Sequence, residues 1–161
     1  MDRPTAAGDG TPRVVVTDWT PENFSFGPFS GPLGAELLRE DGRPVVALQI
    51  RPDHFNKANV THGGVIFTLG DVAMGLALYL SDNPEKDTFL STDIQIRFLR
   101  PVTEGRLLAR GKIDARTRST RVTSCEVSTE DGAVVALLNG QYRKVRRPID
   151  ARANAVADEP E

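Results

Sequence analysis

The chain has 161 residues and a formal net charge of −2, and 39% of its residues are hydrophobic and 26% charged. These values are typical of one soluble globular domain that is long enough to bury a single sizeable core. One cysteine, Cys125, excludes an intrachain disulfide, and with only two histidines the chain is poor in the ligands of a zinc site.

The sequence also lacks the features of a secreted or membrane protein. Its first ten residues contain no basic segment followed by an apolar stretch, so no secretory signal is expected. We expect no apolar run to be long enough to span a bilayer, because Asp71 and several glycines interrupt the most apolar one. The sequence therefore predicts a cytoplasmic protein without a membrane partner.

Charge is distributed unevenly along the chain. Between Arg97 and Arg147 there are twelve Lys and Arg against five Asp and Glu, a balance of +7, so the remainder carries −9. A basic half is consistent with an anionic partner, either a phosphate-bearing ligand or a nucleic acid. The same charges also serve as solvated strand faces and edges that block unwanted strand pairing. Charge alone favours this second interpretation.

The elements before the most apolar run are an arm and a hairpin. Residues 1–20 are rich in Pro, Gly, Thr and Asp, which predicts a flexible arm. Residues 33–39 and 43–51 predict two strands joined by an Asp-Gly turn. A polar loop follows, and residues 64–80 then predict one helix of four to five turns.

The second half of the chain predicts a meander of four strands. Their expected ranges are 88–100, 105–117, 120–130 and 133–146. Residues 149–161 carry four acids against one arginine and predict a flexible tail, which leaves residues 21–148 as the domain. Two strands, one helix and four strands indicate an α+β domain, most economically an antiparallel sheet of about six strands wrapped around the helix.

The predicted helix is apolar around most of its circumference. At 100° per residue, one stripe of large side chains is the predicted core face: Val65, Leu69, Val72, Leu76 and Leu80. A second stripe lies on roughly the opposite side: Phe67, Asp71, Met74 and Leu78. A third face is mostly small: Ile66, Gly70, Ala73 and Ala77. One sheet covers one side of such a helix, so we expect a second copy of the chain to cover another.

Asp71 is an acid within this apolar helix. Because an unpaired buried carboxylate is costly, it must be hydrogen-bonded, protonated or functional, and an interface aspartate that pairs with a partner's backbone is the simplest structural alternative. His62, Gly63 and Gly64 stand where the helix begins, and free backbone N–H groups there resemble an oxyanion hole. A simple glycine turn is the alternative for these residues.

Gly63 and Asp71 are too far apart to act on one carbonyl group within one chain. Eight residues of α-helix rise about 12 Å, whereas both contacts must lie within roughly 3–3.5 Å of the reacting centre. Two antiparallel copies of the helix would bring Gly63 of one chain to Asp71 of the other. The residues therefore predict a composite site in a homodimer.

This combination resembles the hotdog-fold acyl-CoA thioesterases, specifically the PaaI-like branch of the 4-hydroxybenzoyl-CoA thioesterase superfamily. The resemblance covers most of residues 30–147 and depends on Asn56 six residues before His62-Gly63-Gly64, on Asp71, and on the later segment STDIQIRFLRP. It implies a helix enclosed by a curled sheet, dimers that often pair into tetramers, and thioester hydrolysis without a metal or another cofactor, since coenzyme A is part of the substrate.

The resemblance also implies a role for each residue. The Gly63 N–H would polarise the thioester carbonyl, and Asp71 of the partner chain would act as general base or nucleophile. Asn56 and His62 would orient the thioester and the Gly63 loop, and the Ser91 hydroxyl would hold the attacking water. For the substrate, Gly64, Phe67 and Met74 are predicted to bind the acyl thioester, and the hairpin residues Arg116, Arg118 and Arg121 to hold a coenzyme A phosphate. A solvated turn is the alternative for the arginines.

Three other functions are compatible with parts of the sequence. A hydratase or dehydratase on acyl thioesters would need a histidine and a carboxylate acting on the α and β carbons of the substrate, and a non-catalytic acyl-CoA sensor would have no need of Asp71. A nucleic-acid binder is disfavoured because a single helical segment does not form a helix-turn-helix. The sequence leaves open the acyl group, coenzyme A against a carrier protein, and dimer against tetramer.

Overall fold

The computed structural model describes residues 26–81 and 87–146. The predicted arm over residues 1–20 and the predicted tail over residues 149–161 lie outside the described residues. The segment Asp82-Asn83-Pro84, which is predicted to stop the helix, lies outside them as well. The division into an arm, a domain over residues 21–148 and a tail therefore stays a prediction.

Two helices and six strands form the described part of the chain. In chain order they are α1 (Gly27–Ser30), β1 (Ala35–Glu40), β2 (Arg43–Gln49), α2 (Gly63–Ser81), β3 (Asp87–Phe98), β4 (Arg106–Arg116), β5 (Thr120–Thr129) and β6 (Val134–Arg146). Single turns of 3₁₀ helix cover Gly31–Leu33 and Pro52–His54. The predicted helix and all six predicted strands are confirmed, with every boundary within two residues.

The six strands form one antiparallel sheet in the order β1-β2-β4-β5-β6-β3. The β1–β2 turn has positive φ at both central residues, Asp41 (47°) and Gly42 (77°), which is the conformation that an Asp-Gly hairpin turn requires. Helix α2 follows β2 and packs across one face of the sheet, mainly on β4, β5 and β2. The predicted α+β architecture, a sheet around one long helix in the manner of a hotdog fold, is confirmed.

The side of α2 that faces the sheet differs from the predicted one. Its buried residues are Ile66, Leu69, Gly70, Ala73, Met74, Leu76, Ala77 and Leu78. The predicted core residues Val65, Val72 and Leu80 are only partly buried. The reason is a close approach of helix and sheet, since a Cβ added to Gly111 on β4 would lie 2.2 Å from the Ala73 carbonyl oxygen. Only small side chains fit at this contact. The face with the largest apolar side chains, which the sequence predicted as the core face, is therefore not the one that packs closest to the sheet.

The hydropathy of α2 corrects a second expectation. The helix has 19 residues and a mean hydropathy of 1.6 in its most apolar window, so by length and composition it is long and apolar enough to cross a membrane. In the fold, 44% of that window is buried inside the protein, and the helix packs across the sheet as its core helix.

Candidate active site

The loop that leads into α2 is anchored to the protein on two sides. Thr61 is buried, and both its backbone N–H and its Oγ1 donate to the Val102 carbonyl at 2.8 Å. The next residue, His62, donates its backbone N–H to the His54 carbonyl at 2.8 Å. His54 is itself 2% exposed, and its Nε2 lies 3.1 Å from the Leu33 carbonyl. These contacts hold the start of the helix in one position.

His62 caps the helix with its imidazole. The Gly64 N–H donates to His62 Nδ1 at 2.8 Å, and the Val65 N–H donates to the His62 carbonyl at 2.9 Å. A neutral ring that accepts at Nδ1 carries its proton on Nε2. A Cβ at Gly64 would lie 2.9 Å from Nδ1, so this glycine makes room for the ring. The Gly64 N–H is therefore used inside the protein, and the predicted contact of this exposed glycine with substrate stays a prediction.

Gly63 keeps a backbone donor at the positive end of the helix. Within the described parts of the chain, its N–H donates to no acceptor, and the Phe98 ring packs so close that an added Cβ would lie 3.0 Å from Cζ. The residue borders a cleft of about 340 Å³ with these lining residues: Val60, Thr61, Gly63, Ile66, Phe98, Leu99, Arg100 and Pro101. A fixed N–H next to a partly apolar cleft can stabilise a carbonyl oxygen that gains negative charge.

Asn56 organises the turn before this loop. Its Oδ1 accepts the Ala58 N–H at 2.8 Å, and its backbone N–H donates to the Val60 carbonyl at 2.9 Å. The side-chain Nδ2 donates to nothing among the residues that the structure describes, and the residue is half-buried. Asn56 thus combines a structural contact through its oxygen with two donors that remain for a ligand.

The Asp71 carboxylate has a hydrogen-bond partner in the sheet. It is half-buried, and the hydroxyl of Tyr142 on β6 donates to its Oδ1 at 2.7 Å. The other oxygen, Oδ2, accepts no hydrogen bond from the described part of the chain. Burial, and then the Asp71 carboxylate beside it, raises the pKa of Tyr142, so the phenol is a neutral donor at physiological pH.

Ser91 lies on the same side of the sheet as Tyr142. The two residues are cross-strand partners in the β3–β6 ladder, and directly opposed residues of an antiparallel pair project to the same face. Ser91 is exposed on the edge strand β3, next to a register shift between Ser91 and Asp93. Through Tyr142, the fold places the Asp71 carboxylate and the predicted water-binding hydroxyl in one neighbourhood.

Tyr142 is a residue of the candidate site that the sequence did not predict. Buried and exposed positions alternate along β6 from Ala136 to Tyr142, and Ala136, Leu138, Gly140 and Tyr142 are the buried ones. A phenol at an inward position must find a hydrogen-bond partner beneath the sheet, and this requirement was a usable signal. Sequence alone did not identify the acceptor, because 71 residues separate Tyr142 from Asp71.

The predicted site residues thus form two groups within one chain. Asn56, His62 and Gly63 lie at or just before the start of α2, and Asp71 lies about 12 Å further along the helix axis. Ser91 belongs with Asp71, because it is the cross-strand partner of the Tyr142 that contacts Asp71. Met74 belongs to neither group, because it is fully buried in the core with its sulfur 3.2 Å from Thr123 Oγ1. The predicted contact between Met74 and an acyl group is therefore wrong for the isolated chain. Phe67 is half-buried and packs against the core.

The three hairpin arginines have different surroundings. Arg116 and Arg118 are exposed at the β4–β5 turn. Arg121 is only 7% exposed, its Nη1 donates to the Thr117 carbonyl at 2.7 Å, and its guanidinium stacks 5.1 Å from the centre of the Phe89 ring. Because its charged group faces the protein's own carbonyl and an aromatic ring, Arg121 stabilises the turn, which corrects its predicted role as a phosphate ligand.

A thiol nucleophile is not available at this site. Cys125 is 3% exposed on β5, and burial raises the pKa of its thiol to about 12, so it is protonated at physiological pH. Cys125 is therefore a small buried hydrophobe of the core. Within residues 26–81 and 87–146, no group of three or more His, Cys, Asp or Glu side chains is arranged to hold a metal ion.

A sheet around one long helix, with a free N–H where the helix begins and a carboxylate eight residues later, defines a hotdog-fold protein with a hydrolytic type of site. Residues 58–136 match the model of the Thioesterase superfamily. A protein of Archaeoglobus fulgidus named "Putative esterase" is 30% identical over 115 residues, which cover 70% of this chain and 72% of that protein.

Solved structures agree with this match. A variant of the phenylacetic acid degradation protein PaaI of Thermus thermophilus is 30% identical, with a TM-score of 0.66, and the alignment covers 74% of this chain and 100% of that one. A Bacillus halodurans protein solved with CoA is 26% identical, with a TM-score of 0.72 and coverages of 79% and 85%. The chain therefore belongs to the Thioesterase superfamily, and the resemblance to PaaI-like hotdog thioesterases is confirmed. It is a thioester hydrolase.

Proposed function

We propose that the protein hydrolyses the thioester bond of a small aryl- or medium-chain acyl-CoA at a site shared between two copies of the chain. One observation carries this proposal. Among the residues that the structure describes, a single helix presents a backbone N–H without an acceptor at Gly63 and a half-buried carboxylate at Asp71 whose Oδ2 accepts no hydrogen bond. These are the oxyanion donor and the base that an activated ester needs. They lie about 12 Å apart along the helix axis, which is too far for both to serve one carbonyl within one chain.

The surface of α2 favours a second copy as the missing part. One face of the helix is not covered by the sheet, and its residues are mostly small: Gly64, Thr68, Asp71, Val72, Gly75 and Tyr79. Small residues allow a second helix to approach closely. The neighbouring edge strand β3 and its end also expose Leu90 (55%), Phe98 (52%) and Leu99 (53%), and Phe98 packs on Gly63. A copy related by a two-fold axis would cover these side chains and place Asp71 at the Gly63 cleft.

In the proposed reaction, water adds to the thioester carbonyl carbon while Asp71 Oδ2 takes one of its protons. The carbonyl oxygen becomes an oxyanion, which accepts a hydrogen bond from the Gly63 N–H of the other chain. When this intermediate collapses, the C–S bond breaks, Asp71 returns the proton to the thiolate sulfur, and a carboxylic acid and a free thiol leave. Ser91 would hold the attacking water and Asn56 Nδ2 would orient the thioester. No cofactor is needed for this chemistry.

Two groups of residues are candidates for binding the substrate, one for coenzyme A and one for the acyl group. Arg116 and Arg118 are exposed, and they remain candidates for a coenzyme A phosphate. Phe67 and the apolar wall formed by Phe98 and Leu99 are candidates for contact with the acyl group. The CoA in the related Bacillus halodurans structure supports coenzyme A as the thiol component.

The wild-type protein is expected to release free coenzyme A from at least one acyl-CoA of a panel with benzoyl, hydroxybenzoyl, phenylacetyl and C6–C12 fatty acyl groups. A thiol-trapping dye measures the product, and a catalytically unrelated protein purified in parallel is the control for contaminating esterases. Matched acyl-pantetheine substrates test the contribution of the nucleotide phosphates. If none of the thioesters is cleaved while a 2-enoyl-CoA gains water, the hydratase alternative is correct and this proposal is wrong.

Hybrid dimers should recover activity that each parent variant lacks. In a hybrid of Asp71→Ala and Gly63→Pro, one of the two sites takes Gly63 from the first chain and Asp71 from the second, so it is intact. Random co-assembly gives about half hybrids, and hence about a quarter of the wild-type activity. Mass spectrometry of the intact complexes measures the hybrid fraction. Hybrids that form but stay inactive would show that Gly63 and Asp71 do not act across chains.

A further inference from the structure

We propose that Tyr142 is a positioning residue for this hydrolysis: its hydroxyl holds Oδ1 of Asp71 and so directs Oδ2 toward the attacking water. This inference rests on the proposed function, because it assigns to Tyr142 an effect that acts through Asp71. Tyr142 itself touches neither the water nor the thioester in this scheme.

Tyr142 is a rigid anchor for the carboxylate. It lies on β6, an internal strand next to the edge strand β3, with Arg121 on β5 and Ser91 on β3 as its cross-strand partners, and it is 3% exposed. Its ring packs over Gly140, where an added Cβ would lie 3.0 Å from Cε2. The hydroxyl is 2.7 Å from Asp71 Oδ1 and 3.4 Å from the Asp71 backbone oxygen. Because the sheet fixes the position of the Tyr142 hydroxyl, the hydrogen bond fixes the position of Oδ1 of Asp71 as well.

Asp71 needs such an anchor because of its place on the helix. It borders the uncovered face of α2, and Tyr142 is its one hydrogen-bond donor among the described side chains. A free aspartate rotates among staggered χ1 wells with a broad χ2, and only part of that range presents an oxygen to a water. Since reaction rates depend steeply on the alignment of base and nucleophile, fixing one oxygen is expected to raise the rate of the chemical step.

The chemistry of the phenol suits this role. A neutral hydroxyl donates one hydrogen bond to the carboxylate without forming an ion pair with it, and the raised pKa of Tyr142 keeps the phenol neutral. The cross-strand pairing of Tyr142 with Ser91 adds a second element. The same strand position orients the base and lies next to the hydroxyl that is proposed to hold the water.

Tyr142→Phe is expected to lower kcat about 10-fold and to change KM by less than about two-fold, because it removes only the hydroxyl that orients the base. The control is Ser128→Ala, which removes another buried hydroxyl (2% exposed), one that accepts a hydrogen bond from Arg110 at 2.8 Å and has no part in the proposed site, and it should leave kcat unchanged. Thermal unfolding of both variants shows whether the fold is retained. The decisive measurement is a double-mutant cycle, in which Tyr142→Phe should have no further effect on kcat when Asp71 is already alanine.

Each outcome decides between the role of Tyr142 and the proposed function. Wild-type kcat in Tyr142→Phe overturns the role of Tyr142 alone, provided that Asp71→Ala is impaired. The same 10-fold loss in the Asp71→Ala background would show that Tyr142 acts independently of Asp71, which also overturns it. Full activity of Asp71→Ala would show that Asp71 is not the base, and the proposed role of Tyr142 would then be wrong as well. If Tyr142→Phe does not fold, Asp71→Glu, which moves the carboxylate by one methylene relative to Tyr142, must show the reduced kcat instead.

Discussion

Replacement of Asp71 with alanine is expected to lower kcat by about 100-fold or more, the usual contribution of a general base. Asp71 is the one acidic residue of α2, and its Oδ2 accepts no hydrogen bond from the described part of the chain, so its loss leaves the bound water without a proton acceptor. KM should change little, because the proposed role begins only when the water attacks. Steady-state kinetics with the best acyl-CoA of the panel measure both constants.

Two variants at this position separate chemistry from folding. Asp71→Ala removes the carboxylate acceptor of the buried Tyr142 hydroxyl and leaves it only the backbone oxygen at 3.4 Å, which is expected to cost about 1–3 kcal/mol of stability. Asp71→Asn keeps a side-chain oxygen for Tyr142 but is no base, so it should be nearly as stable as the wild type and as inactive as the alanine variant. Asp114→Ala, which removes an exposed carboxylate 3.4 Å from Lys112, is the control and should be fully active. An Asp71→Asn enzyme with wild-type kcat would show that the base has been misassigned.

Replacement of Gly63 with proline is expected to lower kcat by about 100- to 1,000-fold, the loss seen when one oxyanion-hole donor is removed. Gly63 is the first residue of α2, and proline is well tolerated at the first position of a helix. The substitution therefore deletes the N–H without removing an intrahelical hydrogen bond. Kinetics with the same acyl-CoA, together with circular dichroism, measure the change in rate and the helix content.

Gly63→Ala is the matched control for this change. Alanine adds a Cβ that would lie 3.0 Å from the Phe98 ring, as the Cβ of proline would, but it keeps the N–H. Most of the activity should therefore remain in Gly63→Ala, after a small shift of the Phe98 ring. Equal losses in the alanine and proline variants would mean that crowding of the cleft, and not the missing donor, causes the defect.

Local sequence patterns were sufficient for the secondary structure of this chain. The alternation in β3, the Asp-Gly turn between β1 and β2 and the apolar run of α2 depend on neighbours within about ten residues, and all were placed within two residues of their final bounds. Gly63 at the start of the helix followed from the same local pattern, because a helix begins with unsatisfied N–H groups wherever it occurs.

The tertiary structure alone decided which groups meet across the sheet. Helical periodicity predicted the face with the largest apolar side chains as the buried face. In the structure, Gly70, Ala73 and Gly111 let the helix approach the sheet closely, and the face that carries these small residues is buried. The partner of Asp71 and the buried position of Arg121 have the same origin. Both depend on the antiparallel register that places β6 between β5 and β3, and strand pairing between residues far apart in the chain leaves no mark on the local pattern of either strand.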